Sequence, residues 1–478
     1  MIMKKLLISF SLLIAAIWLA GCQKDLERTN INPNEPIVVQ PDYLLSNGIK
    51  ANVDTYWGSD ATMETTLLYI QYWAKIQYPD PDRYIPASTN IQTVWNNFYA
   101  QGIADFTKLA ELGDTLHNPN YKAVGIIMRS WIFQVLTDLY GDIPYTQAGN
   151  IDKYLTPVYD SQRVVYRGLL AELKNAVSII SPSDNPILGD SLLAGNMNGW
   201  KKFANGLRSR IALRLADRDP AAAKAVFAEL AAEGNFFLAA GDREVKLNYL
   251  TSPNQNPVGR NRETRNDYRI SKTVIDKLKA LNDPRLSIYA ALPADTNAYI
   301  GVTNGLSADS ASRLGFSKTS DIGAAFTATQ APAYVFTYAE QLFILAEAAQ
   351  RNLISGNAAD LYAQAIRASF KQYGVTGTQV DTYLAQPAVA YDANNYKKSI
   401  GEQKWLALFS EGLEAFAEWR RLDYPQLKPA YTGALQGKMP LRLSYPSSEQ
   451  ALNGANYKAA VARQGADLLT TRVWFDMY

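Results

Sequence analysis

The residues Leu19-Ala20-Gly21-Cys22 place the only cysteine of the chain directly behind a short apolar segment. A thiol in that setting is a substrate for acylation. Lys4 and Lys5 precede an apolar run from Leu6 to Trp18, interrupted only by two serines, and the small pair Ala20-Gly21 leaves room for a peptidase beside Cys22. This is the anatomy of a lipoprotein signal peptide over residues 1–21. The run is shorter than the about 20 apolar residues of a spanning helix, so the expected membrane attachment is lipid on Cys22, with more than one acyl chain for durable anchoring. With one cysteine, disulfides within the chain, thiol catalysis and cysteine metal sites all fall away.

Other chemistry-bearing residues are few. His117 is the single histidine, within the polar run from Leu116 to Asn120, so a Ser-His-Asp triad would rest on it alone, and it is read as a solvated loop residue. Glu340 and Glu347 stand seven apart and share a helix face, a spacing that invites comparison with the carboxylate pair of a glycosidase. Structural hydrogen bonds between helices are the preferred reading. Arg210, Arg214 and Arg218 could clamp an anion, but are expected to form a solvated or salt-bridged helix face. Trp419-Arg420-Arg421 could meet a ligand or serve an interhelical cation contact. The segment Gly433 to Lys438 falls short of a phosphate loop, because Met439 stands where a Ser or Thr is needed. Residues for catalysis and for metal binding are therefore expected to be none, and no cofactor is expected; no twelve-residue calcium loop is present, although a structural calcium on loop carboxylates stays open.

The aromatic content points elsewhere. There are 29 tyrosines and 9 tryptophans, an excess that suits either a core or a binding surface, since such rings bury large areas and also stack on flat ligands or sugar faces while their polar tips stay wet; for any single ring core is the first reading. The stretch from Tyr69 to Tyr84 concentrates them. Tyr69, Tyr72 and Trp73 sit at helical spacing and are read first as core, with Trp73 kept as a contact candidate. Tyr78, Arg83 and Tyr84 are the preferred ligand contacts, stiffened by Pro79 and Pro81. Trp57 and Trp95 come second, Trp95 with core as its first reading.

Helices must position these groups. Tyr121, Val124, Met128, Trp131, Val135 and Leu139 recur at three and four residues, as do Val165, Leu169, Leu173 and Val177, and Trp200, Phe203, Leu207, Ile211 and Leu215. Tyr338 to Ala349, a turn over Asn352 to Gly356, and Tyr362 to Tyr373 predict a helical hairpin of tetratricopeptide size. One more long pattern runs from Tyr396 to Trp419. Residues 23–36 are polar and rich in Asn and Pro, a flexible tether after Cys22. Residues 37–478 form the body, with a loop-rich insert at about 237–330 and a proline-rich stretch from Tyr424 to Asn456. The fold class is mainly α. Lysines and arginines number 47 against 45 acids, and loss of Lys4 and Lys5 with the leader brings the formal charge to zero. That argues against nucleic acid as a partner, because phosphate binding needs a concentrated basic surface.

In order along the chain, Asn30-Ile31-Asn32-Pro33-Asn34, Tyr140-Gly141-Asp142-Ile143-Pro144-Tyr145, Pro157-Val158-Tyr159-Asp160-Ser161 and Trp200-Lys201-Lys202-Phe203-Ala204-Asn205 with Leu207-Arg208-Ser209-Arg210 form a pattern. Asn282-Asp283-Pro284-Arg285-Leu286, Tyr338-Ala339-Glu340, Ala346-Glu347-Ala348, Gln403-Lys404-Trp405, Glu418-Trp419-Arg420-Arg421 and Arg472-Val473-Trp474 complete it. The chain resembles the SusD/RagB family of nutrient-binding outer-membrane lipoproteins, in its SusD-like branch. The resemblance implies a tetratricopeptide-like hairpin scaffold with a packed loop-rich subdomain. It implies a cell-surface, lipid-anchored protein that hands oligosaccharides, or in some members peptides, to a TonB-dependent β-barrel transporter of the SusC/RagA type, without covalent catalysis. Binding residues in that family vary with the ligand, so none is carried over. A surface-anchored glycoside hydrolase and a helical-repeat scaffold without ligand remain the alternatives.

Overall fold

Helices follow one another along most of the chain in a computed structural model that describes residues 39–150 and 152–477. Cys22, the signal segment, the tether and the Asn30 to Asn34 fragment lie outside the described residues. The first helix, α1 (Pro41–Trp57), stops at Gly58, where any side chain would press a Cβ to 2.5 Å from the Asp54 carbonyl oxygen. A π-helical segment, Ser59–Thr66, follows, and π turns of this kind gather at functional sites.

Next come α2 (Ser88–Asn97), α3 (Ala104–Thr115) and α4 (Pro119–Tyr140). Asn118 caps α4, accepting from the backbone N–H of Asn120 at 3.1 Å and of Tyr121 at 3.3 Å, while Pro119 supplies a preset first turn. The stripe from Tyr121 to Leu139 is buried along its whole length. Because the opposite face of α4 is buried as well, this helix is the centre of the fold rather than a surface element. It packs between α3 and α5 (Gln162–Ile179), and α5 in turn packs on α6 (Met197–Leu215), which pairs with α7 (Pro220–Ala232). The expected hairpin is α8 (Tyr338–Gln350) against α9 (Ala358–Gln372), capped by Thr337 and Asn357.

The last long pattern is two helices, not one. Tyr396–Ala407 (α10) and Gly412–Leu422 (α11) are separated by a turn in which Ser410 adopts φ 73° and Glu411 N–H bonds the Leu408 carbonyl at 2.8 Å. The periodicity runs through the break because both helices turn their apolar faces to the same core. Similarly, the helix expected through Trp73 ends at Tyr69. Gln71 takes a left-handed conformation, φ 58°, and the chain leaves as strand β1 (Trp73–Lys75).

The described strands make three two-stranded antiparallel ladders. In one, β1 pairs with Tyr268–Ile270, Trp73 opposite Ile270 and Lys75 opposite Tyr268, which docks the region of residues 237–330 onto the N-terminal helices. That region holds short helices, among them Pro257–Arg262 and Lys272–Ala280, between irregular loops.

Between the hairpins lies a chain of buried charges. Arg210 and Arg214, expected on a solvated or salt-bridged face, are both about 1% exposed, and only Arg218 reaches solvent. Arg210 grips Glu340 through two bonds of 2.8 and 2.7 Å; Arg214 bonds Glu414 at 2.7 Å and also meets Glu418. Arg421 grips Glu347 at 2.6 and 2.5 Å and Glu418 at 2.8 Å, and Lys404 bonds Glu418 at 2.8 Å. Ion pairs thereby tie α6, α8, α10 and α11 together. Bidentate pairing at Arg210 and Arg421, and three separate carboxylates around Arg214, offset the lost hydration of these guanidinium groups.

Candidate ligand-binding groove

The π-helical segment presents Asp60 and Glu64 on one side. Glu64 accepts a bond from Lys75 Nζ at 2.8 Å and another from the Tyr268 hydroxyl. Lys75 is 1% exposed and also pairs with Asp267 at 2.9 Å, and Arg265 pairs with Asp267 at 3.1 Å. This alternating chain of charges ends with the Arg265 guanidinium 5.3 Å from the centroid of the Tyr78 ring. Arg265 is held from behind by Asp267; burial by itself would raise that carboxyl's pKa, but the hydrogen bonds from Arg265 and Lys75 and the Lys75 charge outweigh it and hold the pKa below the usual range. The arginine is fixed in its charged form.

Tyr78 is 69% exposed and sits with φ 49°, a left-handed conformation that a bulky residue adopts at a cost of about 1–2 kcal/mol. Its loop is pinned underneath. Asp82, fully buried, accepts bonds from Lys75 N–H at 3.1 Å, Asn304 Nδ2 at 2.7 Å and Gly305 N–H at 2.9 Å. Burial pushes its carboxyl up to about 6, and those donors hold it from rising further. Between the Tyr78 loop, the π segment and Arg265 lies a cavity of about 690 Å³. Asp60 lines it, with a pKa raised by burial and then by neighbouring Glu64. An open aromatic face, a fixed guanidinium and carboxylates at one cavity can stack on a sugar ring and bond its hydroxyls.

The sequence candidates divide. Tyr78 lines the cavity. Arg83 points away, its Nε bonding the Thr432 hydroxyl at 3.0 Å and a terminal nitrogen bonding Asp80 at 3.2 Å. Tyr84 is 3% exposed, its ring edge-on to Tyr69 and its oxygen accepting from Ala430 N–H at 2.8 Å. Trp73 is completely enclosed against Tyr268. Trp57 is 3% exposed, with its indole N–H on the Tyr334 carbonyl at 2.9 Å. Trp95 packs among Tyr99, Tyr140 and Tyr445. Trp57, Trp73 and Tyr84 thus offer no open face to a ligand, because each is spent on the core. The arginine at Tyr78 is Arg265, which sequence reasoning missed. It arrives through the β1 pairing from far along the chain, and its one local signal is the charged run from Arg260 to Arg265.

His117 is exposed in the turn after α3 with φ 52°. Glu340 and Glu347 are each 1% exposed and occupied by arginines, closed off from any glycosidic bond. Arg420 bonds the carbonyls of Phe416, Leu441 and Asp138, and Trp419 N–H bonds the Pro425 carbonyl at 3.0 Å. Among the described residues, no three His, Cys, Asp or Glu side chains gather as a metal site, and no helix is long and apolar enough to cross a membrane.

Residues 33–446 match the SusD-like family described as starch-binding and associating with the outer membrane. A chitin-binding protein of known structure is 26% identical and superposes with a TM-score of 0.82, covering 92% of this chain and 100% of that one. A chitin-binding SusD homologue from Flavobacterium johnsoniae is 26% identical, TM-score 0.81, covering 91% and 98%. A SusD homologue from Bacteroides uniformis is 26% identical, TM-score 0.80, covering 91% and 100%. No curated protein matches the chain.

Proposed function

The chain belongs to the SusD-like family, whose members are outer-membrane-associated nutrient-binding proteins, and from that premise we propose that it captures an oligosaccharide at the cell surface and passes it to a TonB-dependent β-barrel transporter. Lipid on Cys22 holds it to the outer membrane, and residues 22–36 give the body its reach. It binds without cleaving. The observation that carries this reading is the exposed Tyr78 ring, with the Arg265 guanidinium packed against it, at the cavity beside the π segment.

The chemistry suits capture rather than turnover. A sugar ring lays its C–H face on Tyr78, and its hydroxyls donate to Asp60 or accept from Arg265. Because the guanidinium and the pinned loop are in place beforehand, little ordering is left to oppose binding. Ligand contact by Arg83, at the edge of the same loop, would require it to leave Thr432 and Asp80.

Two measurements test the reading. Calorimetry of the mature chain against malto- and chito-oligosaccharides is expected to show binding, and chromatography of the same mixtures is expected to show no shortened product. Purification of the lipidated protein from gently solubilised outer membranes is expected to bring a β-barrel companion in stoichiometric amount. Glycan cleavage by the purified chain would overturn the capture reading in favour of a hydrolase; absence of both ligand and companion would leave a scaffold.

A further inference from the structure

A second cavity, of about 730 Å³, adjoins the Tyr78 cavity, and Ser59 and Asp60 line both. Its walls are α1, α2 and the short helix Pro257–Arg262, and none of the side chains lining it is aromatic. Its polar groups fall into two sets. Lys50 and Asp54 neutralise each other at 2.5 Å, Asp54 also takes the Tyr249 hydroxyl at 2.6 Å, and Asn97 bonds the Thr55 hydroxyl at 3.3 Å. The side chains of Asn47, Asp60, Gln101, Arg260 and Asn261 have no hydrogen-bond or ion-pair partner among the described residues.

Unsatisfied groups gathered in one cavity carry information. The Asn261 side-chain oxygen is shielded from solvent and meets no donor, a condition that costs about 1–3 kcal/mol unless something bonds it. Nor can its helix move aside easily. Asn256 caps that helix, accepting from Val258 N–H at 2.8 Å and donating to the Ala331 carbonyl at 2.9 Å, and Gly259 lies so close to Thr329 that a Cβ would approach it to 2.5 Å. The two unpaired charges, Asp60 and Arg260, have opposite signs. An anionic ligand would meet Asp60 and a cationic one Arg260, so the complementary ligand is uncharged and dense in hydroxyl or amide groups.

We propose that the two cavities form one groove for an extended, uncharged oligosaccharide, in which Tyr78 stacks on one unit, Asp60 accepts hydroxyl hydrogen bonds at the junction, and Arg260 and Asn261 hold units at the far end. This rests on the glycan-capture reading and adds to it a second subsite. The division of labour is physical. The aromatic end supplies apolar contact and the other end supplies only hydrogen bonds, so neither reads a whole chain by itself. Long ligands span both, whereas a disaccharide settles at the Tyr78 end.

The test is calorimetry of the full mature chain with malto- and chito-oligosaccharides from disaccharide to octasaccharide. The wild type is expected to bind a hexasaccharide at least about tenfold tighter than the disaccharide of the same series. Arg260→Ala with Asn261→Ala, two side chains that make no hydrogen bond or ion pair among the described residues, is expected to remove that length gain and leave disaccharide affinity intact, with an unchanged melting temperature confirming the fold. Asp60→Asn is expected to weaken long ligands more than short ones, and Tyr78→Ala to weaken all lengths. A double variant that keeps the full length dependence while Tyr78→Ala still weakens binding would overturn the second subsite and leave capture at Tyr78 standing. If the wild type binds no glycan of either series, capture itself falls, and the second subsite with it.

Discussion

Replacing Glu418 with alanine tests whether the buried charges hold the hairpins together. Glu418 is 4% exposed and receives Arg214, Arg421 at 2.8 Å and Lys404 at 2.8 Å. At an effective dielectric of 20, unit charges 2.8 Å apart attract by roughly 6 kcal/mol, against which stands the cost of drying both. Arg214 retains Glu414 and Arg421 retains Glu347, but Lys404, 2% exposed, bonds no other carboxylate among the described residues. Alanine therefore strands a buried ammonium, a defect worth about 3–5 kcal/mol. With an unfolding entropy of roughly 2.1 cal/mol/K per residue over about 440 residues, that loss lowers the melting temperature by roughly 3–5 °C. Its three cations hold the Glu418 carboxyl well below the ordinary carboxylate range. The stabilisation is therefore complete above the unfolded carboxylate pKa of about 4.3, and is lost only as pH falls through the lower folded value. The gap between wild type and Glu418→Ala in urea melts should be constant from pH 5 to 8 and shrink in acid. Glu418→Leu with Lys404→Met removes both charges and should recover at least about 1 kcal/mol. A single variant that costs under about 1 kcal/mol, or a double variant no more stable than the single one, would refute the reasoning.

Glu411 acts in the opposite direction. It is 2% exposed, neither carboxyl oxygen has a hydrogen-bond partner among the described residues, and burial, reinforced by Glu340, raises its pKa well above the usual value. The folded protein keeps that proton where the unfolded chain loses it, so stability falls as pH rises from about 4.3 toward the folded value, by at most about 1.4 kcal/mol per pH unit. Glu411→Gln should raise the urea midpoint more at pH 8 than at pH 5, and equal changes at the two pH values would count against it. Tyr78→Ala should weaken oligosaccharide binding by about 0.5–1.5 kcal/mol, roughly two- to tenfold, at unchanged melting temperature, as calorimetry and thermal melts will show. Trp57→Phe and Tyr84→Phe each delete a buried hydrogen bond and should lower stability by about 1 kcal/mol while leaving affinity as it was; a selective loss of affinity would return those rings to the binding site.

What the sequence determines by itself is local. Apolar residues at three and four, Asn118 and Pro119 before α4, and the turn between α8 and α9 specify amphipathic helices and hairpins within a few residues of each position, and the mainly α scaffold follows. The order of short fragments over the chain also suffices for the family. Which side of a residue ends up covered is a different kind of fact. Arg210 and Arg214 look like a surface stripe until Glu340, Glu414 and Glu418 arrive from helices more than a hundred residues away. Tyr78 and Tyr84 are neighbours in one loop, yet one ring is open and the other lies against Tyr69, because the 304–305 and 430–432 segments close over one side of that loop only. Arg265 reaches Tyr78 through the pairing of β1 with Tyr268–Ile270, a register no local pattern announces. Periodicity is set by backbone geometry over one or two helical turns, whereas the burial of a given ring or charge is set by whichever distant segment pays its desolvation, and only the tertiary structure brings that segment in.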